Sequence, residues 1–267
     1  MTGGLVHADG ADLYYQVDGD GPETLVLING VGDPLEGWAN QTGEFLAAGL
    51  RVVSFDNRGV GRSGQPPGPY TSAQMAADLH AVVTAAGLDG FGLCGVSMGG
   101  VIAQEYALAH PRQLRSLVLA NTFAAADPFT RAAFLTWSEV AEAAGMAMMM
   151  RAQAPWIFSP DFYARHPDRV AELIAEAETS TQPAAAYAAQ MAALVDHDAR
   201  DRLAALRVPT LVLAAADDII IRPALSRRLF ELLPVATWSV VPGGHAAFWE
   251  DPGPWNRAVI EFVQENH

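Results

Sequence analysis

A chain of 267 residues, 51% hydrophobic and 17% charged, can bury a full core and suits one large domain or one domain with a substantial insertion. Its 30 acidic residues against 16 basic ones give a formal net charge of −14, and every basic residue is an arginine. Without lysine there is no Schiff-base chemistry and no Walker-type phosphate lysine, and the acidic balance argues against nucleic acid or an anionic membrane as partner.

The opening MTGGLVHADG has neither a basic start nor an apolar run, and later apolar stretches are far shorter than the roughly 18–20 residues that span a bilayer, so the chain is expected to be cytoplasmic. Apolar, β-branched runs follow at 12–17 (DLYYQV), 24–29 (TLVLIN), 51–56 (RVVSFD), 90–95 (GFGLCG), 114–121 (LRSLVLAN), 210–216 (TLVLAAA) and 236–241 (ATWSVV). Several are apolar on successive residues, as strands covered on both faces must be. Amphipathic segments at 72–86, 98–109, 223–233 and 252–264 alternate with them. The alternation predicts an α/β fold with a mostly parallel, doubly wound sheet.

Between 123 and 205 strand signals stop. DPFTRAAFLTWSEVAEAA, SPDFYARHPDRVAELIAEAE and QPAAAYAAQMAALV are helical patterns, each opened by Pro or a Ser/Asp cap. This predicts a core domain from 1–122 and 206–267 interrupted by a helical cap insertion at 123–205.

In GLCGVSMGGVIAQEYALAH an apolar strand meets a helix through Gly95-Val96-Ser97-Met98-Gly99. A nucleophile on such a sharp turn needs small neighbours two residues to either side, and the turn aims the Met98 N–H where an oxyanion would develop. Serine needs a base, and the base an orienting carboxylate. His245 in VVPGGHAAFWEDP, on a glycine-flanked loop after the last strand run, is the candidate base. TLVLAAADDIIIRP offers two acids; Asp218 is preferred, and Asp217 is then expected to cap the helix near Arg222-Pro223. The lone Cys94 excludes an intrachain disulfide and reads as buried filler. Gly59-Val60-Gly61-Arg62-Ser63-Gly64 fits a dinucleotide-binding pattern, but Gln65-Pro66-Pro67-Gly68-Pro69 leaves no helix to receive a pyrophosphate. Asp56 and Arg58 are expected to pair and stiffen that loop.

The order Ser97, Asp218, His245, with DNRGVGRSGQPPGPYT and AHPRQLRSLVLAN, resembles the α/β-hydrolase family along nearly the whole chain, its enol-lactonase-like and carboxylesterase-like branch in particular. The family's His-Gly after the third strand is here Asn29-Gly30, and its acid-loop Gly is Ala215. The resemblance implies a second oxyanion donor at the Val31 N–H, with the Asn29 side chain holding the loop. It implies hydrolysis of a carboxylic ester or lactone of a small, largely apolar substrate through an acyl-enzyme, without metal or organic cofactor. Perhydrolase or haloperoxidase-like chemistry, carbon–carbon bond hydrolysis, and a noncatalytic ligand-binding role stay open beside it. Pocket candidates are Trp38, Met149, Arg151, Trp156 and Phe158, Arg151 being suited to a carboxylate on an enol-lactone. The partner expected is that small molecule, with no nucleic acid or membrane, and a homodimer is left open.

Overall fold

The computed structural model describes residues 2–266. Its elements run β1 (Thr2–Ala8), β2 (Ala11–Asp18), β3 (Glu23–Ile28), α1 (Ala39–Ala47), β4 (Leu50–Phe55), α2 (Ser72–Ala85), β5 (Phe91–Val96), α3 (Met98–Ala109) and β6 (Leu114–Ala120). Then come α4 (Pro128–Ala144), α5 (Met146–Ile157), α6 (Pro160–Arg165), α7 (Pro167–Glu178) and α8 (Ala184–Val195), followed by β7 (Thr210–Ala215), α9 (Pro223–Leu232), β8 (Ala236–Val241), α10 (Ala247–Glu250) and α11 (Pro252–Glu265).

One eight-stranded sheet has the order β1-β2-β4-β3-β5-β6-β7-β8, parallel from β4 onward, with β1 and β2 antiparallel at one edge. Side chains alternate across it. On β3, Val26 and Ile28 join the larger core under α2 and α3, while Leu25 and Leu27 join the core under α1 and α11. Both faces are covered, which is why the strand runs carry apolar residues in succession. Cys94 packs in the second core, and burial pushes its thiol pKa up.

The chain leaves β3 toward β4 on one side and returns to place β5 on the other, with Ile28 beside Gly95. At such a switch point the loops after the two strands part to opposite faces and leave a crevice at their carboxyl ends. The loop after β3 and the serine turn after β5 meet there.

The seven expected strands are present; β1 is an eighth. It is a largely exposed edge strand that buries no continuous face, so no apolar run announces it. Its hairpin turns through Asp9 (φ 38°) and Gly10 (φ 77°), the positive-φ pair that a tight hairpin favours.

The five helices α4–α8 occupy the 128–195 stretch between β6 and β7. The chain enters and leaves this excursion side by side, with Ala125 bridged to Asp198 and the Ala199 N–H donating to Ala124 O at 2.9 Å. The Asp127 side chain caps α4 by accepting from the Thr130 N–H at 2.9 Å. The pattern over 159–178 is two helices rather than one, because Pro167 cannot continue the hydrogen bonding of α6 and instead opens α7. Among the described residues no helix is long and apolar enough to cross a membrane.

Candidate active site

Ser97 links β5 to α3 with φ 56° and ψ −115°, a conformation that costs energy for any residue with a Cβ. Tertiary contacts hold it there. The Ser97 N–H donates to Ala120 O at 2.9 Å, and its carbonyl accepts from Thr122 Oγ1 at 2.8 Å. The flanking glycines have a concrete cause: a Cβ on Gly95 would stand 2.2 Å from Gly99 O, and one on Gly99 would stand 2.1 Å from Ile28 O. Met98 is the first residue of α3, so its N–H belongs to the first turn that has no intrahelical acceptor.

Across the crevice, Asn29 Nδ2 donates to Pro34 O at 2.6 Å, the loop-holding role expected of it. The Gly32 N–H donates to Gln190 Oε1 at 3.0 Å, which fixes the loop from the side of α8. Val31 sits between these ties and lines the same cavity as Ser97.

His245 follows β8 on the Pro242-Gly243-Gly244 loop, and its Nδ1 is 2.8 Å from Asp218 Oδ2. Asp218 is 2% exposed yet fully engaged: Oδ1 accepts from the Ile220 and Ile221 N–H groups at 2.9 and 2.8 Å, and Oδ2 also accepts from Asn121 Nδ2 at 2.9 Å. Burial pushes its pKa up, but the facing imidazole and these donors outweigh burial and hold it below the usual carboxylate value. Asp217 points to solvent and makes no helix cap; the backbone amides near Arg222 are taken by Asp218 instead, which corrects the expectation for Asp217.

The His245 loop is stitched to the helical excursion. Glu250 Oε1 accepts from the Gly244 N–H at 3.1 Å and the Ser159 N–H at 2.7 Å, and Ser159 Oγ donates to Glu250 Oε2 at 2.6 Å. The Ala246 N–H donates to Ile157 O at 3.0 Å.

A cavity of about 900 Å³ lies over Ser97 and His245, walled by Val31, Phe134, Trp137 and Phe158 among others. Of the five pocket candidates only Phe158 reaches it. Trp38 packs instead on Phe248 and Trp255, with ring centroids 5.6 and 6.0 Å apart, and Met149 is core. Trp156 packs edge-on against Trp137 and tilted against Phe129, and Arg151 turns outward, 60% exposed, to pair with Glu178. Helical phase explains these corrections: Met150, Gln153, Ala154 and Ile157 form the i, i+3, i+4, i+7 stripe that faces the cavity, and 149, 151 and 156 fall off it.

Sequence reasoning did not single out Asp33, Asn121, Glu250 or Gln182. Asp33 is half-buried in the cavity wall with its carboxyl turned inward, and burial pushes its pKa up to about 7, partly offset by His245. The expected Asp56–Arg58 pair is also corrected. Asp56 accepts from the Leu35 and Arg62 N–H groups at 2.7 and 2.9 Å, whereas buried Arg58 pairs with Asp78, its Nη2 donating at 2.6 Å. Among the described residues no group of three or more His, Cys, Asp or Glu side chains is placed to hold a metal ion.

Residues 23–252 match the family model described as the alpha/beta hydrolase fold. A protein named "Putative carbamate hydrolase RutD" from Azorhizobium caulinodans is 35% identical over 260 residues, 97% of each chain. One of the same name from Variovorax paradoxus is 32% identical, covering 94% of this chain and 96% of its own. Among solved structures, the enol-lactonase from Burkholderia xenovorans superposes with a TM-score of 0.90 at 26% identity, covering 98% of this chain and 100% of its own. An esterase from Thermogutta terrifontis, with malate bound, gives 0.89 at 25% identity over the whole of both chains. With its sheet order, its serine turn and 230 matched residues, the chain belongs to the alpha/beta hydrolase fold family.

Proposed function

We propose that this hydrolase is a serine hydrolase that cleaves the carboxylic ester or lactone of a small, largely apolar substrate through an acyl-enzyme intermediate. The observation that carries the reading is the buried Asp218–His245 hydrogen bond of 2.8 Å beside a cavity that Ser97 also lines. His245 takes the Ser97 hydroxyl proton as the oxygen attacks the scissile carbonyl carbon. The Val31 and Met98 N–H groups stabilise the tetrahedral oxyanion. The imidazolium gives its proton to the leaving alcohol; the neutral imidazole then takes a proton from the water that attacks the acyl carbonyl, and passes it to the Ser97 oxygen as the acid departs. Asp218 stays ionised throughout and holds the imidazole orientation.

The test is steady-state hydrolysis of a panel of p-nitrophenyl esters and simple lactones by wild type and Ser97→Ala. The expected result is turnover of short-chain acyl esters that falls to the background rate in the variant. Equal rates in the two would overturn the reading.

A second reading has the relatives' names behind it: proteins 35% and 32% identical over nearly the whole chain are named as carbamate hydrolases. The same serine, base and oxyanion donors would act on a carbamate carbonyl. Ammonia release from an alkyl carbamate faster than hydrolysis of the matching alkyl ester favours this reading; the reverse order favours the ester.

A further inference from the structure

The cavity wall is acidic. Its carboxylates are Asp33, Glu36, Glu176 and Glu250, and its single arginine, Arg169, is spoken for by Glu172 at 3.0 Å and Glu176 at 3.6 Å. Glu36 pairs with Arg62, and Glu250 accepts backbone and hydroxyl protons from the His245 loop and α6. Asp33 alone of the four makes no hydrogen bond or ion pair among the described residues. It is also the one beside the nucleophile: the point where a side chain on Gly30 would begin is 3.3 Å from Asp33 Oδ2 and 3.6 Å from Ser97 Cβ. Glycine at 30 keeps the gap between carboxylate and serine open.

A second acceptor faces the same loop. Gln182, only 4% exposed, spends its Nε2 on Gly59 O at 3.0 Å and Gln190 Oε1 at 3.1 Å. That fixes the amide orientation and leaves Oε1 buried without a partner, 3.1 Å from where a Gly32 Cβ would stand. A buried, orphaned carbonyl oxygen is costly unless something donates to it. With Asp33 it places two acceptors along the loop that carries Gly30 and Gly32, on the side of the cavity where the buried Tyr187 ring also stands.

We propose that the Asp33 carboxylate and Gln182 Oε1 form a recognition pole for a protonated amine on the acyl portion of the substrate, a few bonds from the scissile carbonyl. A protonated amine supplies N–H donors to both acceptors and the opposite charge for an ion pair with Asp33. It sits on the acyl side because the loop carrying Asp33 also carries the Val31 oxyanion donor, whereas the leaving alcohol must depart beside His245. The net charge of −14 adds a long-range attraction for cations. With Arg151 turned outward to Glu178, the wall holds, among the described residues, no unpaired arginine for an anionic substrate. The inference rests on the serine-hydrolase reading and names its substrate class.

The experiment compares two isosteric substrates with one leaving group, the p-nitrophenyl esters of β-alanine and of butyric acid, at pH 8, with fluorophosphonate labelling of Ser97 read in parallel. Wild type is expected to favour the amino ester at least tenfold in kcat/KM. Asp33→Asn is expected to lower the amino-to-alkyl ratio at least tenfold, and Gln182→Leu at least threefold. Should Asp33→Asn not fold, the wild-type ratio and the Gln182→Leu ratio decide. A wild-type ratio of one or below, or a ratio unmoved by either variant, overturns the amine pole while leaving the hydrolase reading intact. Labelled Ser97 with no turnover of either ester also overturns the pole. Unlabelled Ser97 with no turnover overturns the hydrolase reading itself.

Discussion

Asp218 Oδ2 lies 2.8 Å from His245 Nδ1, while the adjacent Asp217 reaches neither the imidazole nor the helix that follows. Two neighbouring carboxylates are thus separated by the turn after β7: one is buried against four polar partners, the other left in water. Asp218→Asn should fold, since the amide is isosteric, but should lower kcat for an ester by about 10³–10⁴-fold, the scale seen when a serine hydrolase loses the charge that orients its base. Asp217→Asn should stay within about twofold. Equal losses in the two variants would contradict the assignment, and the rates of p-nitrophenyl butyrate hydrolysis decide it.

The glycines of the serine turn make a sharper structural test. Gly99→Ala would push a Cβ to 2.1 Å from Ile28 O, a backbone atom at the carboxyl end of the central strand β3, so β3 and helix α3 must separate. A loss of several kcal/mol is expected, on the order of the larger losses known for overpacking. Gly43 is the contrasting case: it lies inside α1 with nothing within 4 Å of a new Cβ. Gly43→Ala should therefore raise stability by about 0.5–1 kcal/mol. Urea denaturation of the two variants checks both signs.

Most of this architecture was legible in the sequence, for reasons that particular residues make plain. Strands buried on two faces, such as 24–29 and 210–216, carry apolar residues in succession (Leu25–Ile28 and Leu211–Ala215), so they announce themselves. The serine turn is legible because its backbone leaves no room for a Cβ at Gly95 or Gly99. Strand β1 is not, since exposed residues on an edge carry no pattern. The cavity wall was the least legible part. A helix offers every residue to some neighbour, and only the packed phase of α5 decides that Met150 and Gln153 face the cavity while Met149 and Arg151 do not. Asp33 carried no signal at all, because an acid in a loop after a strand is ordinary until its surroundings are known.

The buried acid also predicts how stability depends on pH. The Asp33 pKa is raised from 3.8 to about 7, so the folded state holds its proton more tightly than the unfolded chain does. Its contribution therefore falls as pH rises from about 4 through 7 and is constant above. Asp33→Asn lacks this loss. The variant should gain stability relative to wild type between pH 5 and pH 8 by roughly 2.7 kcal/mol, about two pH units at about 1.4 kcal/mol each. Melting temperatures of both proteins at the two pH values measure it; a constant difference between them would remove the buried, proton-holding carboxyl.

A paired acid gives the opposite slope. Burial pushes Glu105 up, but its bonds to Arg202 and His197 dominate and bring it to about 2, from 4.5. Arg202 Nη2 and Nη1 donate to it at 2.6 and 2.7 Å, tying α3 to the exit of the helical excursion. That stability is present above pH 4.5 and lost as pH falls toward 2. Because Arg202 is partly exposed and water screens the pair, Glu105→Gln should cost about 1 kcal/mol at pH 7. At pH 2.5 the cost should be markedly smaller, as thermal melts at the two pH values would register.

The nucleophilic role proposed for Ser97 is tested most directly by treating the protein with a fluorophosphonate and locating the adduct by peptide mass spectrometry. A single adduct on Ser97, absent in Ser97→Ala and formed at least a hundredfold more slowly in His245→Ala, is the outcome this structure predicts. Labelling that ignores the His245 substitution, or an adduct on any other serine, would contradict it.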